Sequence, residues 1–259
     1  LDILEIEPEL EELLSQEIIG LVQNQPVASE AFTIDIKRFA NQLITPGQDA
    51  VASCIEVFER KEGGQSQPGN SSANNSGQKA VRLVGTAVFR KGKLVGWLND
   101  EETKGYLYGI GRARQGIISL SVHELDKKDV AFAMTRASSK IVPKVEGDEI
   151  SFIIDIKAEG DLQQHDDTRP IARPDVIKAV EQKAAHEIKA LVENALNKAQ
   201  NEFEADIFGF GNRLHKRYPQ FWKQIQQDWR EIYPDIKVTV NVEAKVRRTG
   251  MITDTPVVW

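Results

Sequence analysis

Glu149-Ile-Ser-Phe-Ile-Ile-Asp-Ile-Lys-Ala-Glu159 is the stretch on which the fold turns. Ile150, Phe152, Ile154 and Ile156 alternate with Ser151, Ile153, Asp155 and Lys157. A period of two is the mark of a strand with one buried face, and Ile153 is the apolar exception on the other face. Upstream, Ile117 to Leu125 and Val130 to Val142 read as two further strands. The segments between them, Asp126 to Asp129 and Glu146 to Asp148, are short and turn-like, which predicts antiparallel pairing.

Downstream the period changes. Ile177, Val180, Ala184, Ile188, Leu191, Ala195 and Ala199 step by three and four, an apolar stripe along one helix face. Val176, Val192, Leu196 and Phe203 widen it, and Pro174 suits a first turn. A helix from Pro174 to about Asn201 would run roughly 42 Å at 1.5 Å per residue. A ten-residue strand reaches only about 33 Å. The helix should therefore overhang its sheet, and two short helices at Ala205–Lys216 and Gln220–Ile232 are the expected cover. Val238, Val240, Val242, Ala244 and Val246 then alternate with Thr239, Asn241, Glu243, Lys245 and Arg247 as a closing strand. The order βββαααβ predicts an α+β fold, its sheet antiparallel or mixed, with the long helix and the shorter ones on one face.

The first half reads as a separate unit. Leu10, Leu13, Leu14, Ile18 and Leu21 mark a helix within Glu7 to Val22. A second, Ile34 to Ile44, has Thr33 as its expected N-cap and stops at Pro46-Gly47. Ala50 to Arg60 is a strand, followed by a Gly/Ser/Asn/Gln-rich segment, 62–79, with too little apolar content to order itself. Val81 to Phe89, Lys91-Gly92 and Leu94 to Leu98 make a hairpin. Asn99 caps the next helix, with Glu101 and Glu102 in its first turn. Gly109, Gly111 and Gly116 interrupt the pattern, so the boundary falls near Arg112 to Gly116, dividing the chain into 1–113 and 114–259. The chain opens at Leu1 inside helical sequence and is read as part of a longer protein, any targeting segment lying upstream.

A chain of 259 residues with net charge −6 can bury a sizeable core and lacks the basic field that nucleic-acid binding requires. No run is apolar enough to span a bilayer, which takes about 20 residues. The single cysteine, Cys54, lies among Val51, Ile55, Val57 and Phe58 and is read as an inert buried thiol. No Gly-x-Ser-x-Gly elbow occurs, and none of His123, His165, His186 and His215 pairs with another at ligand spacing. His165-Asp166-Asp167 is read as a solvated acidic loop. Gly109-Ile-Gly111 with Arg112 and Arg114 has a distant likeness to a phosphate loop, but it follows a helix and is read as a linker. Catalytic, cofactor and metal residues are therefore expected to be none. Arg90, Lys91 and Lys93, His215 to Arg217, and Arg247 with Arg248 are short basic clusters, read as solvated turns and strand ends or as contacts for an acidic partner or anionic headgroups.

Several strings occur together. Gly85-Thr-Ala-Val-Phe-Arg-Lys-Gly-Lys-Leu-Val-Gly-Trp-Leu98 is followed by Glu101-Glu-Thr-Lys-Gly105. Ala205-Asp-Ile-Phe-Gly-Phe-Gly211, then Trp222, Trp229, Pro234 and Val246-Arg-Arg-Thr-Gly250, come in order behind them. This set resembles the germinant-receptor C-subunit family, the Ger(x)C lipoproteins. The resemblance implies a non-catalytic, lipid-anchored protein on the outer face of the spore inner membrane, assembled with membrane A and B subunits. It implies three α/β domains, so that 1–113 would be the middle one, 114–259 the last, and 1–28 the tail of the first. The anchoring cysteine is not in this sequence, since no hydrophobic signal precedes Cys54. Trp97, Ile207, Phe208, Phe210, Arg247 and Arg248 are the candidate partner interface. For Trp97, and for Ile207, Phe208 and Phe210, the competing reading is core packing. No cofactor is expected. Direct nutrient binding near Gly109 to Arg114, with Arg112 or Arg114 holding a carboxylate, is the alternative function.

Overall fold

The computed structural model describes residues 32–59, 79–122, 128–164 and 173–249. The helix read at 7–22, the polar segment up to residue 78, His123 and His165-Asp166-Asp167 lie outside the described residues.

The first unit opens with α1 (Ile36–Ile44). Its cap is Asp35, not Thr33: the Asp35 carboxylate accepts the Arg38 N–H at 2.8 Å. Three antiparallel strands follow in sheet order β1 (Ala50–Glu59), β2 (Lys79–Arg90) and β3 (Lys93–Leu98). Lys91 and Gly92 both take positive φ, 52° and 74°, as a two-residue hairpin turn of this hand demands. Next comes α2 (Asp100–Gly109), closed by a capping box between Asn99 and Glu102. Glu102 also pairs with Lys198 at 2.8 Å, fastening the start of this helix to the second unit.

The second unit is a four-stranded sheet in the order β4 (Gly116–Val122), β5 (Lys128–Glu146), β6 (Glu149–Gln164) and β7 (Lys237–Thr249). The first three pair antiparallel, as the short connections require. Beside β6, β7 runs parallel, with Ile154 opposite Val240, so the sheet is mixed. The helical crossover between them is what permits a parallel return. It begins with α3 (Pro174–Asn197) and a π-helical turn at Lys198–Glu202. It continues through α4 (Phe210–Arg217), α5 (Pro219–Ile225), α6 (Trp229–Ile232) and a 3₁₀ turn, Tyr233–Asp235.

The core follows the two periodicities. Phe152, Ile154 and Ile156 of β6 and Val176, Val180, Ala184, Ile188 and Val192 of α3 are all buried. Each large apolar side chain contributes about 1.5–3 kcal/mol by leaving water. This core runs on without a break into Val51, Val88, Leu98 and Tyr106 of the first unit.

The end of α3 is covered differently from expectation. Its cover is α2, from the other unit, and not the short helices that follow it. A Cβ at Gly105 would lie 2.5 Å from the Leu191 carbonyl carbon, so glycine is what lets the two helix backbones touch. Among the short helices, α4 lies against β5 instead. The π-helical turn has a local reason as well. It sends the Gln200 side chain inward, where its Nε2 donates to the carbonyls of Tyr233 at 3.1 Å and Ile236 at 2.9 Å. These bonds fix the chain just before β7.

Candidate partner interface and the junction behind it

Trp97 sits on β3, an edge strand of the three-stranded sheet. It is 58% exposed, which corrects the reading that made it a core anchor. Leu94 and Val95 are exposed beside it. The reason lies in the register. Val88 pairs with Gly96 and Phe89 with Leu94, so Val95 is bulged out of the ladder. A bulge together with Lys93 blunts the edge against strand addition, leaving a surface that offers side chains and not backbone.

Ile207, Phe208 and Phe210 are 1%, 1% and 0% exposed. Phe210 stacks on Phe152 of β6 with centroids 4.4 Å apart, and Phe208 meets Tyr106 of α2 edge-on at 5.5 Å. Their side chains are core, the reading that competed with a docking surface. They offer nothing to a partner in this arrangement. Arg247 and Arg248 are exposed on β7, an edge strand of the other sheet. Arg247 is held by Glu159 at 2.6 Å, a bond that lowers the Glu159 carboxyl and raises the guanidinium. The six candidate residues are thus not one patch: Trp97 lies on the β3 edge, Arg247 and Arg248 on the β7 edge, and the other three are interior.

The segment Gly109 to Arg114 serves backbone geometry. The Arg112 and Ala113 N–H groups both donate to the Leu107 carbonyl, closing α2. Gly111 has φ +72°, and the Gly109 carbonyl accepts the Ser139 hydroxyl at 2.7 Å. The Arg112 guanidinium lies over the Phe32 ring at 5.5 Å. Cys54 is half-buried, and that burial raises its thiol pKa. His186 is exposed, and His215 stacks on Trp222. Among the described residues there is no group of three or more His, Cys, Asp or Glu that could hold a metal. No described helix is long and apolar enough to cross a membrane.

What the sequence reading missed is an interlock between the units. The Asp49 N–H donates to the Asp206 carbonyl and the Asp206 N–H to Asp49 Oδ2, both at 2.9 Å. The Asn212 N–H donates to the Gly47 carbonyl at 2.8 Å, and a Cβ on Gly211 would lie 2.6 Å from Gly47 Cα. Asp206 is 2% exposed and accepts three N–H bonds: Phe210 and Gly211 at 2.8 Å and Trp229 Nε1 at 3.2 Å. Burial pushes its carboxyl up to about 7, against the pull of those donors and with the Asp49 carboxylate adding to the rise. Arg230 Nη1 stands 3.8 Å from Asp49 Oδ1. A cavity of about 310 Å³ opens here, lined by Gly47, Asp49, Lys91, Trp222 and Arg230 among others. The one sequence signal was an aspartate set among apolar residues and glycines just ahead of a helix start.

A three-stranded sheet and helix interlocked with a four-stranded mixed sheet under one long helix make an α+β body. Its described surface shows an apolar edge. The family model described as "Spore germination B3/ GerAC like, C-terminal" matches residues 84–250, and the chain belongs to this family. The chain is 29% identical over 175 residues to spore germination protein YndF of Bacillus subtilis (strain 168), covering 67% of this chain and 43% of that protein. It is 26% identical over 173 residues to spore germination protein KC of the same organism, covering 66% and 42%. The putative spore germination protein YfkR, also from that organism, aligns over 98% of this chain and 62% of its own length at 22% identity. The chain therefore spans less than half the length of the first two relatives. The crystal structure of the GerBC protein superposes with a TM-score of 0.65 at 17% identity, covering 85% of this chain and 66% of that one. That likeness concerns the fold, which is the mixed α+β fold expected.

Proposed function

We propose that this chain is the folded body of the C subunit of a spore nutrient germinant receptor, acting by assembly with membrane A and B subunits and not by catalysis. In the full-length protein a lipid anchor would hold it on the outer face of the spore inner membrane. The observation that carries the reading is the family match across both units, from β2 to the end of β7. The exposed Trp97, with Leu94 and Val95, gives such a body a place to dock. Aromatic anchors of this kind are worth about 2 kcal/mol or more in an interface. Trp97→Ala in the full-length protein is expected to weaken co-purification with the A and B subunits about 30-fold or more and to blunt the germinant response. Its unfolding free energy should change by less than about 0.5 kcal/mol, as for exposed positions generally. A normal response at normal protein level would refute the docking role.

The second reading, nutrient binding by this subunit itself, is favoured by one observation. The Trp222 indole N–H and Arg230 Nη1 are buried at the junction cavity without a hydrogen-bond partner among the described residues. Titration calorimetry with amino acids and sugars at millimolar concentration would show saturable heat if they receive a ligand. A flat titration rejects this reading.

A further inference from the structure

The interlock is built around a carboxyl group that is almost wholly buried while the units are closed, at the wall of the junction cavity. Its backbone and its carboxylate both belong to the joint: the Asp206 carbonyl and N–H hold Asp49, and its two oxygens hold the Phe210, Gly211 and Trp229 N–H groups. Opening the joint would bring this carboxyl to solvent. A proton bound in the closed form is then released in the open one, so closure and proton uptake are linked.

We propose that the Asp49–Asp206 joint is a proton-linked latch between the two sheets, held shut by protonation and loosened as the pH rises through the weakly acid range.

The groups facing it are few. Asp49 approaches from the α1–β1 connection and adds negative charge. Arg230 of α6 offsets Asp49 at 3.8 Å. From the β2–β3 turn, Lys91 reaches Asp49 only through its backbone N–H, at 3.4 Å. On α4, Arg213 is turned to the Phe208 and Gly209 carbonyls and acts on Asp206 through space. The hydroxyls of Tyr106 and Tyr233 stay neutral, both pushed up by burial. One step away, His215 stacks on Trp222.

The sign follows from burial. The Asp206 carboxyl titrates near 7 when closed and near an ordinary aspartate value, about 3.9, when exposed. The raised value means its contribution to closure is complete below about pH 4, declines as pH rises, and is lost above about 7. In between, opening releases close to one proton, so hydrogen-exchange protection at the Phe210 and Gly211 amides should fall about tenfold per pH unit from 5 to 6.5. The Trp229 indole N–H, bonded to Asp206, should show an NMR inflection near pH 7. Asp206→Asn removes that inflection. Asp49→Asn keeps the carboxyl and removes its negative neighbour, so the inflection should move to lower pH. Protection that is flat from pH 5 to 7, or an inflection that survives Asp206→Asn, overturns the latch. An inflection unmoved in Asp49→Asn would show that the two carboxyls are not linked, and overturns it equally.

Discussion

Gly105→Val is expected to abolish cooperative folding, or to lower stability by more than about 3 kcal/mol. Helix propensity alone points the other way, since glycine inside a helix is about 1 kcal/mol worse than alanine. Packing overrides propensity here. The added Cβ would meet the Leu191 carbonyl and the Val192 nitrogen, which are backbone of α3 and cannot rotate aside. The helices would have to separate, uncovering Tyr106 and Val192, which lie in one continuous core. Overpacking commonly costs about 1–3 kcal/mol even where side chains can shift, and here none can. Denaturant unfolding followed by circular dichroism measures it. Glu101→Val, on the exposed side of the same helix, should change the unfolding free energy by no more than about 0.5 kcal/mol. Equal midpoints for the two variants would mean that α2 does not cover α3.

Asp206→Ala is the second large loss. It leaves three buried N–H donors, from Phe210, Gly211 and Trp229, without an acceptor. Each stranded donor costs about 1–3 kcal/mol, so a destabilisation of at least about 3 kcal/mol is expected. The loss should also depend on pH. The wild-type carboxyl favours the closed fold most when protonated, so the difference between the proteins should be larger at pH 5 than at pH 8. Thermal or urea unfolding at the two pH values tests both statements. A difference that grows toward alkaline pH would contradict the direction given for this carboxyl.

The parts of the fold that depend on neighbours along the chain were legible in the sequence. The Ile150, Phe152, Ile154, Ile156 alternation placed the buried face of β6 correctly. Lys91-Gly92 announced the hairpin turn, and Asn99 with Glu102 the start of α2. Trp97 was not legible, because Leu94-Val-Gly-Trp-Leu98 is nearly apolar throughout and the bulge at Val95 resets the alternation. Neither face of such a strand declares itself. Ile207, Phe208 and Phe210 lie in an irregular segment where no period applies, so only the tertiary arrangement shows that they point inward. The cover over α3 came from a helix about ninety residues earlier, as the Glu102–Lys198 pair, 96 residues apart, records. The pairing of Asp206 was not legible for a related reason: its partner Asp49 is 157 residues away.

That span sets a clock on biogenesis. A ribosome adding about 5–20 residues per second needs roughly 8–30 s to travel from Asp49 to Asp206. The β1–β2–β3 meander can pair during that interval, since its contacts are close in sequence, while its loop at Gly47 to Asp49 waits without the segment that closes over it. The β5–β6 hairpin is ready before β7 exists to extend it. The nascent chain therefore carries two half-finished pieces whose contacts with each other are far apart in sequence, and they can lock only once the segment around Asp206 has emerged.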